Sequence, residues 1–366
     1  MKSIKNIVWF TLLLMNYAFS LSLTEKYPSY AYVFSEFDVD ESYIYDASFE
    51  SFVLHNEKRM KRFYKNSIKR GELYMPMMRG SLMDSGLSDL FLYLSMVESG
   101  FSPAIVSPKK AVGLWQFMPK TAKHYNLSVC NSFDERCDPW SSTSAAIRYL
   151  AKLHHQFGKW YLAAMAYNCG EGRLSKAIKK AGSSELYILL DNQSKYLPLE
   201  TREYIKKILL VAMIGESTML DFSTNTYTSK NSMMQVEVKE GTKLADLAKM
   251  MEMKPSVLLA MNRQYKKGYV SKKKGLYKIF IPEEKMMLFY LKYEIIEEIE
   301  KAKPIKPYLL SYIVSLGDTL ESIAKKYKST VYEIKIANQI KDEFLTVDTL
   351  LIIPVNEEIF EKALEE

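Results

Sequence analysis

One carboxylate of this 366-residue chain lies where a purely structural residue is poorly served. Glu98 falls in the last turn of a helix that Ser88 can cap and in which Leu90, Tyr93, Leu94 and Val97 recur at three- and four-residue steps. Gly100 and Pro103 stop that helix, so the carboxylate meets the negative end of the helix dipole. Held there against apolar neighbours, a carboxyl ionises reluctantly, and its pKa rises toward that of a general acid working near neutral pH. Taken alone, the helix favours the plainer reading of a solvated surface glutamate, which the motifs downstream overturn. Metal chemistry finds no support: His154 and His155 are adjacent and point to different helix faces, and His55 and His124 have no partner at ligand spacing. No cofactor motif is present, and none is expected.

The elements that must position Glu98 are helical. A helix is expected from about Ala47 to Lys69, followed by a Met-rich connection, 71–85, to the Glu98 helix. A loop, 102–112, leads into Gly113-Leu114-Trp115-Gln116-Phe117-Met118-Pro119. Ser141, Ser142 or Thr143 is expected to cap the next helix, whose stripe of Ala146, Tyr149, Leu150, Leu153 and Phe157 ends at Gly158. An alanine-rich helix from Trp160 ends at Asn168-Cys169-Gly170-Glu171-Gly172, and a long helix from Leu199 turns Ile205, Ile208, Leu209 and Ala212 inward. Residues 47–230 are therefore expected to form one all-helical domain. Residues 21–46, aromatic and acidic without helical periodicity, read as an extended N-terminal arm.

Beyond this domain lies an internal repeat. Val236 to Leu244 matches Tyr312 to Leu320 in pattern; each is followed by two short helices, the second ending in Met261-Asn262 or Ala337-Asn338, and by a closing strand with proline, Ile279 to Pro282 or Leu351 to Pro354. The chain should thus end in two small β-α-α-β modules, 234–283 and 310–356, joined by a charged helical spacer, 284–307. The first copy carries an insertion with Lys272-Lys273-Lys274 before its last strand.

Composition bounds the environment. Residues 1–20 read as a secretory signal peptide, with Lys2 and Lys5, an apolar run and a small-x-small cleavage pattern, so the mature chain is expected to start near Leu21, with an uncleaved N-terminal anchor as the alternative. No cysteine follows the run to carry a lipid, and no later stretch is long and uncharged enough to span a membrane. The formal charge of +7 is spread along the chain, which does not favour nucleic acid and suits either an anionic exported polymer or ordinary solubility. Cys130 and Cys137 bracket a short polar loop that a disulfide could close, leaving Cys169 as a lone thiol.

Four ordered motifs resemble the SLT family of lytic transglycosylases: Glu98-Ser99-Gly100-Phe101-Ser102-Pro103, Gly113 to Pro119, Ala166-Tyr167-Asn168-Cys169-Gly170-Glu171-Gly172 and Glu200-Thr201-Arg202-Glu203-Tyr204. The repeats look like LysM modules. The resemblance implies a mainly α fold of the goose-type lysozyme kind and cleavage of the MurNAc–GlcNAc bond of peptidoglycan without water, giving a 1,6-anhydro sugar. It further implies that Glu98 acts as acid and then as base, which suits a motif set offering one obvious acid where glycosidases usually need two carboxylates. On the same footing Tyr167 brings its hydroxyl to the catalytic carboxyl, Gln116 and Ser107 bond the acetamido and sugar groups, and Asn168 shapes the cleft. Gly113 belongs to the binding motif. One of Trp115 and Phe117 would face the core while the other lines the groove. Glu200 and Tyr204 could meet substrate, although a first-turn acid and an ordinary core tyrosine explain them as well.

In the second module Gly317, Asp318, Thr319 and Asn338 are implied to meet glycan, and a helix cap at Asp318 or Thr319 could hold simultaneously. The first repeat lacks the Asp-Thr pair, and Lys110 and Cys169 stand where the family often has small residues. The implied partners are glycan strands and other cell-wall enzymes, and the implied location is the periplasm. A hydrolytic muramidase and a non-catalytic wall-binding scaffold are the alternatives.

Overall fold

The computed structural model describes residues 21–217, 233–301 except 272 and 274, 308–340 and 345–365. The segment read as a signal peptide and the end of the expected helical domain, 218–230, lie outside the described residues, as does most of the Lys272–Lys274 insertion. The chain divides into two compact units, one extending to Met286 and the other Met287–Glu366.

The first unit begins with a departure from expectation. Residues 21–46 are not extended: they form α1 (Leu23–Lys26), α2 (Tyr30–Glu36) and a 3-10 turn, Glu41–Tyr45. Their aromatic residues explain why, because Phe34 stacks edge-on against Phe49 at 5.8 Å, and Val33, Phe34 and Phe37 are fully buried in the common core. Asp46 then caps α3 (Ala47–Gly71) by accepting from the Phe49 amide. The Met-rich connection folds as a helix of its own, α4 (Met75–Asp84), with Met75, Met78 and Leu82 inward.

Next come α5 (Leu92–Ser99), α6 (Pro119–His124), α7 (Pro139–Phe157), α8 (Trp160–Cys169), α9 (Glu171–Ala181), α10 (Leu186–Leu189) and α11 (Leu199–Glu216). Ser88 does cap the entry to α5, through a 3-10 turn, and Gly100 ends it in the left-handed conformation that glycine adopts without strain. The cap of α7 is not Ser141, Ser142 or Thr143. Asp138 accepts from the Trp140 and Ser141 amides at 2.9 Å each, with Pro139 at the first helical position, and the Ser142 and Thr143 hydroxyls bond back to carbonyls four residues earlier.

The unit is built around α11. Residues Ile208 to Gly215 are all buried, and the helix packs against α2, α3, α5 and α8. A helix apolar on every side has to lie in the middle of a core. Its alignment with α5 depends on Gly215, where a Cβ would fall 2.0 Å from the Tyr93 hydroxyl oxygen, while that hydroxyl donates to Glu216 Oε1 at 2.7 Å.

The remaining elements form the expected repeat. In the first module β1 (Met233–Lys239) pairs antiparallel with β2 (Leu276–Pro282) across α12 (Leu244–Met250) and α13 (Pro255–Met261), with Val236 opposite Ile279. Then α14 (Met286–Lys301) spans most of the expected spacer. In the second module β3 (Tyr308–Ile313) pairs with β4 (Leu350–Val355) across α15 (Leu320–Lys326) and α16 (Val331–Asn338), Ser311 standing opposite Ile352, and α17 (Glu357–Glu365) ends the chain.

One asparagine closes each module in the same way. Asn262 bonds Phe280 through both its amide nitrogen and its oxygen, at 2.7 Å each, and Asn338 does the same to Ile352 at 2.6 and 2.7 Å. Each side chain so occupies a backbone donor and acceptor of the closing strand.

Replacing Gly215 with alanine should cost about 1–3 kcal/mol, because a methyl group forced against Tyr93 outweighs the gain in helix propensity. A urea unfolding midpoint for the full chain, followed by tryptophan fluorescence, measures it; an unchanged or raised midpoint contradicts the close approach of α5 and α11.

Candidate active site

Glu98 projects from the last turn of α5, and α11 meets it there. Tyr204, buried on α11, donates its hydroxyl to Glu98 Oε1 at 2.6 Å. The carboxyl is half-buried at the residue level, yet desolvation dominates its electrostatics: burial pushes the pKa up from 4.5 to about 7, the Tyr204 hydrogen bond opposes the rise, and the charge of Glu200 adds to it. Burial and the neighbouring Glu98 charge hold the Tyr204 and Tyr167 phenols well above their ordinary value, so both remain neutral donors. At the helix end Arg70 donates from Nε to the Gly100 carbonyl at 2.8 Å, which places a cation on the dipole's negative pole just beyond the carboxyl.

Tyr167 does not bond the carboxyl, as the resemblance implied it would. Its hydroxyl donates to the Trp115 carbonyl at 2.7 Å, and Tyr204 makes the bond to Glu98 instead. Both phenols nevertheless lie close enough to Glu98 to feel its charge. The geometric reason lies in the helices: Tyr204 is on α11, which packs directly along α5, whereas Tyr167 at the end of α8 reaches the 113–117 turn.

That turn is the second part of the site. Gln116 is held at φ 48°, and its Nε2 donates to the carbonyls of Gly113 at 2.9 Å and Ile105 at 3.3 Å. Its amide nitrogen is therefore committed to the loop, and Oε1 is the end it can offer a ligand. Gly113 has φ 87°, and a Cβ there would fall 1.8 Å from the Arg136 carbonyl oxygen, so no other residue fits. Trp115 and Phe117 are both buried, at 0% and 2% exposure, and neither lines a groove. Trp115 donates Nε1–H to Thr143 Oγ1 at 2.9 Å, while Phe117 packs edge-on against Tyr167 at 6.3 Å. Residues two apart share a side of an extended segment, and Gln116 between them, at φ 48°, faces its own loop.

The other expected contacts are largely internal. Ser107 closes a turn, its Oγ accepting from the Ala111 amide at 3.0 Å. Asn168 Oδ1 accepts from the Thr201 hydroxyl at 2.9 Å, tying the end of α8 to the start of α11. Glu200 is exposed in the first turn of α11, 3.8 Å from Lys109 Nζ. Ser95 and Ser99 were not anticipated. One turn apart along α5, they both donate to the Leu114 carbonyl, at 2.9 and 2.8 Å, and bind the turn to the helix that carries Glu98. Their i, i+4 spacing beside Glu98 was the available signal.

No disulfide closes the 130–137 loop. Cys130, Cys137 and Cys169 are all free; Cys130 is exposed and contacts Ser132, whereas Cys137 is buried beside α7. An ion pair holds the loop instead. Asp134, 1% exposed, grips Arg136 through two bonds of 2.9 Å, and Arg136 Nη1 donates to the carbonyls of Lys110 at 3.1 Å and Phe117 at 3.2 Å. The planar guanidinium suits this use, since its fork serves one carboxylate and two carbonyls together.

In the second module Thr319 caps α15 within a capping box with Ser322, and Asp318 Oδ2 accepts from the Tyr312 hydroxyl and the Ser315 amide at 2.7 Å each. Gly317 is exposed with φ 96°. Asn338 is engaged with β4, as described above. Among the described residues no group of three or more His, Cys, Asp or Glu side chains could hold a metal, and no helix is long and apolar enough to cross a membrane.

The carboxyl's raised pKa makes stability depend on pH. Between 4.5 and about 7 the folded state keeps a proton that the unfolded chain releases, so stability falls as pH rises through that window. Glu98→Gln should therefore be more stable than the parent by about 1–3 kcal/mol at pH 8 and equal to it near pH 4. Paired urea titrations at the two pH values test this, and equal stability at both would mean the carboxyl is not desolvated. Tyr204→Phe should move the Glu98 titration, followed by carboxyl NMR, to higher pH; a downward or absent shift would contradict the hydrogen bond.

The chain is similar in sequence to proteins of known families. Residues 77–189 match the Transglycosylase SLT domain, 312–354 the LysM domain, and 232–298 the LysM-like domain of lytic transglycosylase MltD. The membrane-bound lytic murein transglycosylase D of Escherichia coli K12 is 28% identical over 77% of this chain, which spans 64% of that relative's length. The soluble lytic murein transglycosylase of the same strain is 31% identical over 31% of the chain and 18% of its own length. Among solved structures, the 70 kDa soluble lytic transglycosylase of Escherichia coli aligns over 34% of this chain and 21% of its own, at 25% identity and a TM-score of 0.30. The chain thus matches, in order, the Transglycosylase SLT domain, the MltD LysM-like domain and the LysM domain, and is similar over most of its length to membrane-bound lytic murein transglycosylase D.

Proposed function

We propose that the protein is a peptidoglycan lytic transglycosylase that cleaves the β-1,4 bond between MurNAc and GlcNAc, with Glu98 serving as acid and then as base. The observation that carries this reading is a carboxyl raised to about 7 and bonded by one neutral phenol, within an SLT domain. A group with that pKa is partly protonated at neutral pH and exchanges its proton at little cost in either direction. Protonated, it gives its proton to the glycosidic oxygen, and the C1–O bond breaks as the substrate's acetamido group supports the cationic centre. The resulting carboxylate then takes the proton of the MurNAc C6 hydroxyl, whose oxygen bonds C1 and closes the 1,6-anhydro ring.

Tyr204 steadies the ionised form between the two steps, and Gln116 Oε1 accepts from the acetamido N–H. A hydrolase would need a second carboxylate to direct water. Of the candidates, Glu171 is half-buried and Glu200 exposed, and they pair with Lys152 and Lys109 respectively. Glycan binding by the second LysM module, around Gly317 and the exposed Leu316, would keep the catalytic domain at the wall by effective concentration. A periplasmic location follows from the same reading and from the N-terminal sequence.

Digestion of purified sacculi by the full chain and by Glu98→Gln, with mass spectrometry of the soluble products, tests the proposal. Muropeptides ending in 1,6-anhydroMurNAc are expected, with release reduced by about 10²–10⁴-fold in the variant. Reducing MurNAc ends would establish hydrolysis, and sacculus binding without release would establish a scaffold.

A further inference from the structure

The LysM-like module of the first unit packs against the helical domain, and its Met233, Met261 and Phe280 belong to the same buried core. Its 262–268 turn meets the 128–136 loop: the Asp134 amide donates to the Gln264 carbonyl and the Lys266 amide to the Ser132 carbonyl, both at 3.0 Å. These bonds frame a bridge between Phe133 and Tyr265, whose rings lie 5.1 Å apart. Lys266 also extends its side chain across the loop, with Nζ 3.2 Å from the Cys130 carbonyl oxygen and 3.1 Å from Asp134 Oδ2. Beside this contact lies a cleft of about 750 Å³, lined by Val106, Val112, Leu259 and Arg263 among others. At this turn polar and aromatic contacts thus add to the apolar packing of the module, beside an open cleft.

What Lys266 touches leads toward Glu98. Asp134 holds Arg136 by two bonds, Arg136 holds the Lys110 and Phe117 carbonyls, and the Val112 and Phe117 backbones bond each other in both directions. Gln116 lies inside that turn, and the Leu114 carbonyl within it receives Ser95 and Ser99 from α5. Gly113 sits so close to the Arg136 carbonyl that the turn cannot slide past it.

We infer that the LysM-like module is a positioning element of the active site, in which Lys266 fixes Asp134 and, through Arg136, sets the 110–117 turn that carries Gln116 and is bonded to the helix of Glu98. The strand-to-helix turn of this module differs from that of the second. Gly241-Thr242-Lys243 replaces Gly317-Asp318-Thr319, and Lys243 makes no side-chain cap to α12. Lys266 is a positioning residue, since it acts on the site through Asp134 and Arg136. The effect on turnover rests on the proposed lytic activity; the effect on the turn does not.

The test uses the full-length chain with Lys266→Met and Lys266→Arg. Amide hydrogen exchange should accelerate roughly tenfold at residues 111–113 and 117 in Lys266→Met, while α5 and α11 keep the parent rates. On solubilised glycan strands kcat should fall by a similar factor with KM little changed, and Lys266→Arg should restore both readouts. Faster exchange confined to residues 233–282, or none anywhere, would overturn the coupling. A loosened turn with the parent kcat would overturn the positioning role. A parent protein that releases no muropeptides would remove the proposed activity and leave the exchange measurement to decide the docking.

Discussion

A carboxyl withdrawn from water at the C-terminal end of a helix is the constraint on which the first unit depends. The isolated helix opposes it twice, because both desolvation and the dipole disfavour the anion. The surrounding structure offsets this locally, with the Tyr204 hydroxyl on Oε1 and Arg70 on the last turn's carbonyl. The balance leaves a group that titrates near neutrality, where a fully solvated glutamate would be an anion and a fully apolar site would never release its proton.

The core follows from that requirement. To bring a tyrosine from α11 to the end of α5, the two helices must run in close contact, and Gly215 beneath Tyr93 permits it. To hold the 113–117 turn against the same helix end, Ser95 and Ser99 share the Leu114 carbonyl and Tyr167 takes that of Trp115. Backbone carbonyls in a buried turn need donors, so the bonds that satisfy the turn also fix its position. Arg136 completes the set from the other side.

The two C-terminal repeats show one framework put to two uses. Each is closed by an asparagine on its last strand, and each packs two short helices over a two-stranded sheet. They differ at the first turn, where Asp318 and Thr319 organise one module by side-chain bonds and the other has Thr242 and Lys243. The second copy falls in the other compact unit, with its own small core around Ile323, Ile334 and Ile353.

The sequence by itself determined the helical periods, the stop at Gly100, the β-α-α-β repeats and the identity of the central carboxylate, because each is written in local spacing or in ordered motifs. Only the tertiary structure decided which tyrosine meets Glu98, since Tyr167 and Tyr204 both sit at favourable motif positions and the packing of α11 along α5 selects one. It likewise buried Trp115 and Phe117 together, through contacts to Thr143 and Tyr167 that are distant in the chain. Residues 21–46 folded into helices because their aromatics found a core made by later elements. The loop around Asp134 was held by an ion pair where two cysteines had suggested a covalent bond. In each case the deciding contact joins residues far apart in the chain or turns on a backbone conformation, and sequence spacing carries neither.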